Sequence, residues 1–105
     1  MGVADNFRAM LEGGQDNALL RFSLGGALLK DGDLAGAVEH LAEAVRQDPE
    51  YSAAWKLYGK ALQASGHMVA AIEAYERGIA VAERKGDKQA AREMSVFLKR
   101  LRKDG

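Results

Sequence analysis

A spacing of 34 residues relates two stretches of this 105-residue chain and constrains its fold more than any other feature. A fixed period of this length is typical of proteins built from stacked repeats, in which each unit covers the apolar face of its neighbour. The length of the chain suits one compact domain. The pairs related by the spacing are Gly25 and Gly59, Ala27 and Ala61, Leu28 and Leu62, Gly32 and Gly66, Ala37 and Ala71, Val38 and Ile72, and Leu41 and Tyr75.

Apolar residues at helical spacing predict six helices and an all-α fold. Glycine and proline signals separate the segments, as at Asp48-Pro49, where the residue before proline is pushed out of the helical region. Asp5 or Asn6 is expected to cap the first helix, and Asp16 or Asn17 the second. No segment alternates with period two for more than a few residues. The predicted helices cover residues 3–12, 17–30, 34–47, 51–65, 68–84 and 88–102.

Two of the repeated glycines lie inside predicted helices. Glycine at such a position costs about 1 kcal/mol relative to alanine. The recurrence of this cost at Gly25 and Gly59 indicates a close approach of two helices that leaves no room for a Cβ atom.

These two stretches resemble the tetratricopeptide repeat, whose pattern is W-x2-L-G-x2-Y, then A-x3-F, then P. The first copy departs from it with arginine in the tryptophan slot, and the second with glutamate in the proline slot. The first copy has Arg21, Leu24, Gly25, Leu28, Ala37, Leu41 and Pro49, and the second has Trp55, Tyr58, Gly59, Leu62, Ala71, Tyr75 and Glu83.

The resemblance implies a right-handed superhelix of antiparallel helix pairs, with about six helices in a single domain over residues 1–105. Residues 18–51 and 52–85 would be the two full repeats. Residues 3–14 and 87–103 would be capping helices that cover the apolar ends of the stack.

The resemblance also implies a protein–protein interaction module that binds a peptide or partner protein in a concave groove. The first helix of each repeat lines that groove with its second, fifth, ninth, twelfth and thirteenth slots. These slots hold Leu19, Phe22, Gly26, Leu29 and Lys30 in the first repeat, and Ala53, Lys56, Lys60, Gln63 and Ala64 in the second.

The side chains in these slots suit an acidic, partly apolar partner. Lys56 and Lys60 are four residues apart, so both lie on one helix face. Exposed ion pairs contribute only about 0.2–1 kcal/mol each, whereas a micromolar complex needs roughly 8 kcal/mol. We therefore expect Phe22 and Leu29 to be the stronger anchors, unless a flanking helix buries them, and the lysines to be solvated without such a partner.

One subclass of the family grips a chaperone C-terminus with lysine and asparagine. It requires asparagine in the ninth slot of its first two repeats, where this chain has Gly26 and Lys60. The sequence therefore disfavours that mode of binding. The last helix keeps the 34-residue register poorly, so its groove residues are not assigned.

Two other functions remain open at this point. The end helices could pair between chains and form a homodimer through Phe7, Met10, Phe97 and Leu101. Residues 84–103 carry 8 basic against 2 acidic residues, so this segment could also bind nucleic acid. No aromatic stacking surface accompanies the basic residues and the whole chain has net charge zero, which makes nucleic acid the less favoured partner.

The sequence offers little for catalysis, metal or cofactor binding. It has no cysteine, and its two histidines, His40 and His67, are 27 positions apart. It has no glycine-rich phosphate loop and no paired-carboxylate motif, so we expect neither an enzyme nor a cofactor. No apolar run approaches the roughly 20 residues of a membrane helix, and the N-terminus lacks a secretory signal. The expected location is the cytoplasm.

Overall fold

The computed structural model describes residues 2–104, which form six helices and no strand. The bounds predicted from the sequence differ from the observed ones by at most two residues. The all-α prediction is confirmed. The helices are α1 (Val3–Glu12), α2 (Ala18–Asp31), α3 (Leu34–Gln47), α4 (Ser52–Ala64), α5 (Met68–Lys85) and α6 (Lys88–Asp104).

Short polar side chains start three of these helices. The Asn17 side chain accepts a hydrogen bond from the Leu20 amide at 2.8 Å, and Asp33 accepts one from Gly36 at 3.0 Å. Asp87 does the same at the start of α6, where the Ala90 amide donates at 3.2 Å. Each bond satisfies an amide that has no partner within its helix.

The predicted cap of α1 is wrong. Helix α1 begins at Val3, so Gly2 occupies the cap position, and Asp5 is the third helical residue. The Asp5 carboxylate reaches back and accepts a hydrogen bond from the Gly2 amide at 3.2 Å. An acidic side chain in the first turn is also favoured by the helix dipole.

The two predicted close approaches lie between the helices of each antiparallel pair. A Cβ atom added at Gly25 would lie 2.5 Å from Leu41 Cγ, and one added at Gly59 would lie 2.4 Å from Tyr75 Cε1. Leu41 and Tyr75 are fully buried at 0% exposure. The absence of a side chain on α2 and α4 thus makes room for the largest buried groups of α3 and α5.

The core is continuous along the chain. One cluster joins α1, α2, α3 and α4, and a second joins α3, α4, α5 and α6. Phe22, Val38 and Tyr58 pack against both clusters. The resulting molecule is elongated, with extents of 41 × 28 × 18 Å. No helix between Gly2 and Asp104 combines the length and apolar composition that a membrane span requires.

Candidate functional site

Helices α2, α4 and α6 lie side by side and form one face of the molecule. Between α2 and the start of α4, the rings of Phe22 and Tyr51 are 4.9 Å apart. Between α4 and α6, Lys56 Nζ lies 3.5 Å from Glu93 Oε2. We call the surface formed by residues 19–30, 51–64 and 89–100 the three-helix face.

The N-terminal ends of α2 and α4 give this face an apolar region. Leu19 is 64% exposed, whereas Phe22 is half-buried against Tyr51. Gly26 lies opposite α4, where an added Cβ would be 3.2 Å from Leu57 Cδ2. Leu29 is half-buried against the core. The two expected anchors, Phe22 and Leu29, are both half-buried and pack against the core, and Leu19, three residues before Phe22 on the same helix, supplies the exposed apolar surface.

The two lysines of α4 both reach α6. Besides the contact of Lys56 with Glu93, the Lys60 ammonium lies 5.1 Å from the centre of the Phe97 ring. Cations over aromatic rings are attracted by the ring quadrupole. The two ammonium groups therefore differ, since one faces a carboxylate and the other an aromatic ring.

Two further predicted groove residues, Lys30 and Gln63, lie near the C-terminal ends of α2 and α4. Gln63 accepts a hydrogen bond from the Tyr75 hydroxyl at 3.2 Å, and burial raises the pKa of Tyr75 to about 12. The phenol therefore stays protonated and orients Gln63. Lys30 is exposed and, with Val3, Phe7 and Gly26, lines a cavity of about 480 Å³.

Tyr51, Glu93 and Phe97 belong to this face and were not among its predicted residues, although Phe97 was expected in a dimer interface. At a spacing of 36 residues, not 34, Ala91, Met94 and Leu98 of α6 repeat the pattern of Trp55, Tyr58 and Leu62. All three of these α6 residues are buried, which confirms the shifted register.

The extra two residues are the net result of a fifth helix that is four residues longer than α3 and a following linker that is two residues shorter. Helix α3 has 14 residues and stops before Pro49, whereas α5 has 18 and continues through Glu83, which occupies the same slot. Without proline, the backbone of α5 keeps its N–H donor and adds a turn. The Arg84 guanidinium and the Lys85 ammonium of this added turn hydrogen-bond to Glu50.

Charge is divided unequally between the helices. Helix α2 has two basic residues and one acidic residue, α4 has two and none, and α6 has six and two. The other three helices together hold five basic and seven acidic residues. Apart from Asp31 and Asp104 at helix ends, Glu93 is the one acidic residue within α2, α4 and α6.

A second cavity, of about 420 Å³, lies between α3 and α5 on the other side of α4. Trp55, Tyr58, Arg46 and Arg77 are among its lining residues, and the Arg77 guanidinium lies 5.8 Å from the Trp55 ring centre. Arg46 donates two hydrogen bonds to Glu43. The Arg46 bonds, with a further one from Gln47, lower the pKa of Glu43 to about 2.

Most residues of the alternative dimer interface pack against other residues of the same chain. Leu101 is 7% exposed, and the Phe97 ring packs 5.7 Å from that of Tyr75. Phe7 is half-buried, and Met10 is 40% exposed. Among residues 2–104, no three His, Asp or Glu side chains come together in a way that could hold a metal ion.

Comparison with known proteins identifies similar chains. A model of the tetratricopeptide repeat family matches residues 28–92. A TPR repeat-containing protein of Pseudomonas aeruginosa is 54% identical over 99 residues, and the match covers 94% of each chain.

Solved structures agree with these matches. The solution structure of a Bordetella parapertussis protein has a TM-score of 0.84 at 41% identity, over 99% of this chain and 90% of that one. The TPR2B domain of yeast Sti1, solved in a complex with pHsp70, has a TM-score of 0.88 over 97% of this chain and 82% of that one. Its identity is only 17%, so this likeness is one of fold.

Proposed function

Because the chain belongs to the tetratricopeptide repeat family, we propose that it binds an acidic, partly apolar peptide of a partner protein on the three-helix face. Helical repeats of this family serve in general as protein–protein interaction modules. The finer statement rests on one observation: exposed apolar side chains and a strong excess of cations occur together on the same three helices.

The apolar region would supply most of the binding free energy. Leu19 is widely exposed beside the Phe22–Tyr51 pair, so a ligand side chain placed there would remove apolar surface from water. Aromatic anchors of this kind are common among residues that dominate an interface. The cations would steer an acidic partner and fix its register more than they would tighten the complex.

Affinity selection from a random peptide library, followed by calorimetry on the selected peptides, tests the proposal. We expect acidic sequences with at least one bulky apolar residue. The double substitution Lys56→Glu and Lys60→Glu should weaken binding at least tenfold, as should Leu19→Ala combined with Phe22→Ala. The affinity should also fall as salt rises, because the charged contacts are exposed.

Arg46→Glu combined with Arg77→Glu is the matched control. It changes the net charge by the same amount but alters the cavity between α3 and α5. If both charge-reversed pairs lost the same amount of binding, the loss would be due to the overall charge of the protein and not to a specific site. Loss only in the control pair would move the binding site to the α3–α5 cavity.

Two other activities have distinct signatures in the same experiments. A homodimer would appear as twice the chain mass in light scattering, and an interface through the last helix would need the buried Leu101 and the half-buried Phe97 to leave their packing within the chain. Binding of nucleic acid through α6 would give a steep decrease of affinity with salt for DNA or RNA of any sequence. We place peptide binding ahead of the homodimer because it uses surfaces that are already exposed, and ahead of nucleic-acid binding because the whole chain has net charge zero.

A further inference from the structure

The Glu93 carboxylate pairs with Lys56 at the place where a carboxylate of the ligand would bind. Its Oε2 atom lies 3.5 Å from Lys56 Nζ, and the side chains of the two residues remain 42% and 27% exposed. A ligand carboxylate that binds Lys56 must therefore replace Glu93 or share the ammonium with it.

Lys60, four residues later on the same helix, has no such competitor among the side chains that the structure describes. Its ammonium lies over the Phe97 ring, which leaves its N–H donors available to an oxygen ligand. The two lysines look equivalent in the sequence, but their contacts with α6 differ. Lys56 is paired with a carboxylate, whereas Lys60 remains available to a ligand.

We propose that Glu93 is a specificity-determining residue that competes with the ligand for Lys56, so that only peptides with closely spaced acidic residues engage both lysines. This inference rests on the proposed function and specifies its ligand further. A peptide with one carboxylate would contact Lys60 alone. A second carboxylate, held nearby by the first contact, would compete with Glu93 at high local concentration.

The charge of the surrounding helices supports this role. Glu93 is the one interior acidic residue of the three helices that form the face, and it lies against a lysine of the neighbouring helix. Arg100 follows Glu93 by seven residues and so lies on the same side of α6. Neutralising Glu93 would leave Lys56, Lys60 and Arg100 without an intervening negative charge.

The test measures peptide affinity for the wild-type chain and for Glu93→Gln, a change that keeps the size and removes the charge. The probes are an acidic peptide selected on the wild-type chain and its copy with every Asp and Glu replaced by Asn and Gln. We expect about two- to fivefold tighter binding of the acidic peptide, the range of an exposed ion pair, and no gain for the neutral copy.

Glu76→Gln is the matched control for overall charge. Glu76 pairs with Arg102 of α6, so this variant also removes one carboxylate that contacts the last helix, but on α5. An equal gain in both variants would overturn the proposal, as would unchanged or weaker binding in Glu93→Gln. Thermal unfolding by circular dichroism verifies that each variant is folded.

A double-mutant cycle separates competition from simple support of the fold. In the wild-type chain, Lys56→Met should weaken peptide binding less than Lys60→Met does. In the Glu93→Gln background, Lys56→Met should weaken peptide binding more than it does in the wild-type chain. Equal effects of Lys56→Met in the two backgrounds would contradict competition even if the proposed peptide site were real. If selection on the wild-type chain and on Glu93→Gln recovers no peptide, the proposed function and this inference both fail.

Discussion

The two helix pairs α2–α3 and α4–α5 solve the same packing problem with different chemistry. Trp55 of α4 is 7% exposed beside Ala74, and its indole N–H donates to the Pro49 carbonyl at 2.8 Å. The equivalent slot of α2 holds Arg21, whose guanidinium donates to Asp16 at 2.9 Å. Each side chain thereby ties its helix to the linker that precedes it.

The partners on the second helix differ as well. His40 occupies in α3 the slot that Ala74 occupies in α5, and Arg21 lies 3.1 Å from its Nδ1 atom. Arginine has no acceptor, so Nδ1 accepts the hydrogen bond and the proton of the neutral ring is on Nε2. An apolar contact in one pair is thus replaced by an Asp16–Arg21–His40 network in the other.

The positions of the two helix pairs in the stack explain why one has Trp55 and the other Arg21 in this slot. Trp55 lies between neighbours on two sides, since Gly78 of α5 and residues of α3 both approach it. Arg21 lies near the N-terminal end, where the short helix α1 leaves Asp16 exposed to water. The Arg21 side chain is only 18% exposed, but its partner Asp16 is 41% exposed, so the charged end of the pair keeps contact with water that a large apolar side chain could not use.

The largest difference should appear on truncation of these two side chains. Trp55→Ala should lower the free energy of unfolding by about 3–5 kcal/mol, because it empties a buried site that its neighbours cannot fill. Arg21→Ala should cost about 1 kcal/mol, since its bonds are largely exchanged for bonds to water. Urea unfolding followed by circular dichroism measures both, and equal losses would refute the distinction between the two pairs.

Proline and glutamate in equivalent slots give the next comparison. Pro49 follows the end of α3, whereas Glu83 lies within α5. Glu83→Pro should therefore cost about 3 kcal/mol, because the ring removes a helix hydrogen bond and meets the preceding turn. Glu83→Ala is the control and should be nearly neutral in the same urea titration. If the urea midpoint of Glu83→Pro were unchanged, the last turn of α5 would contribute nothing to the stability of the fold.

The two helix glycines should also respond differently. Gly59→Ala places a methyl group against the rigid ring of Tyr75, and Gly25→Ala places one against Leu41, whose side chain has more freedom to rotate. We expect overpacking of about 1–3 kcal/mol at both sites, larger at Gly59, partly offset by about 1 kcal/mol of helix propensity.

A compensating substitution makes this comparison sharper. Tyr75→Leu gives the α4–α5 pair the contact that the α2–α3 pair has, so its cost should be smaller in the Gly59→Ala background than in the wild type. Additive effects in urea unfolding would show that the ring and the added methyl group do not meet.

The fold was predictable because the repeat signals are strong and local. The 34-residue spacing, the buried glycines and the turns at Gly32, Gly66 and Gly86 all specify helix pairs, and the three turn glycines have positive φ values of 87°, 81° and 79°. The cap of α1 was missed because Gly2 lacks a side chain and Asp5 acts from inside the helix. Propensity alone gives no sign of that arrangement.

The candidate face was only half predictable, for a geometric reason. Helix α6 departs from the register by two residues, and two residues rotate an α-helix by about 200°, which exchanges its inner and outer faces. A 34-residue period therefore assigns the wrong face of α6 to the groove. Even the 36-residue period aligns Glu93 and Phe97 with Leu57 and Ala61, which are not groove slots, so their contacts with Lys56 and Lys60 could not be predicted from the repeat. Tyr51 was missed because it precedes α4 and stacks on Phe22 from outside the helix.

The smallest expected effect concerns pH. Burial, and then the positive charge of Arg21, lower the pKa of His40 below its usual value of 6.5. Below pH 6.5 the unfolded chain takes up a proton at this site before the folded chain does, so stability falls as pH decreases toward the folded pKa. The α4–α5 pair has Ala74 in this slot and gives no such dependence.

His40→Gln keeps an acceptor for Arg21 but does not titrate, so it should lose less stability than the wild type between pH 7.5 and 5.5. His67→Gln changes a histidine in the exposed turn before α5 and is the control. If it removes as much of the pH dependence as His40→Gln, the Arg21–His40 contact is not its source.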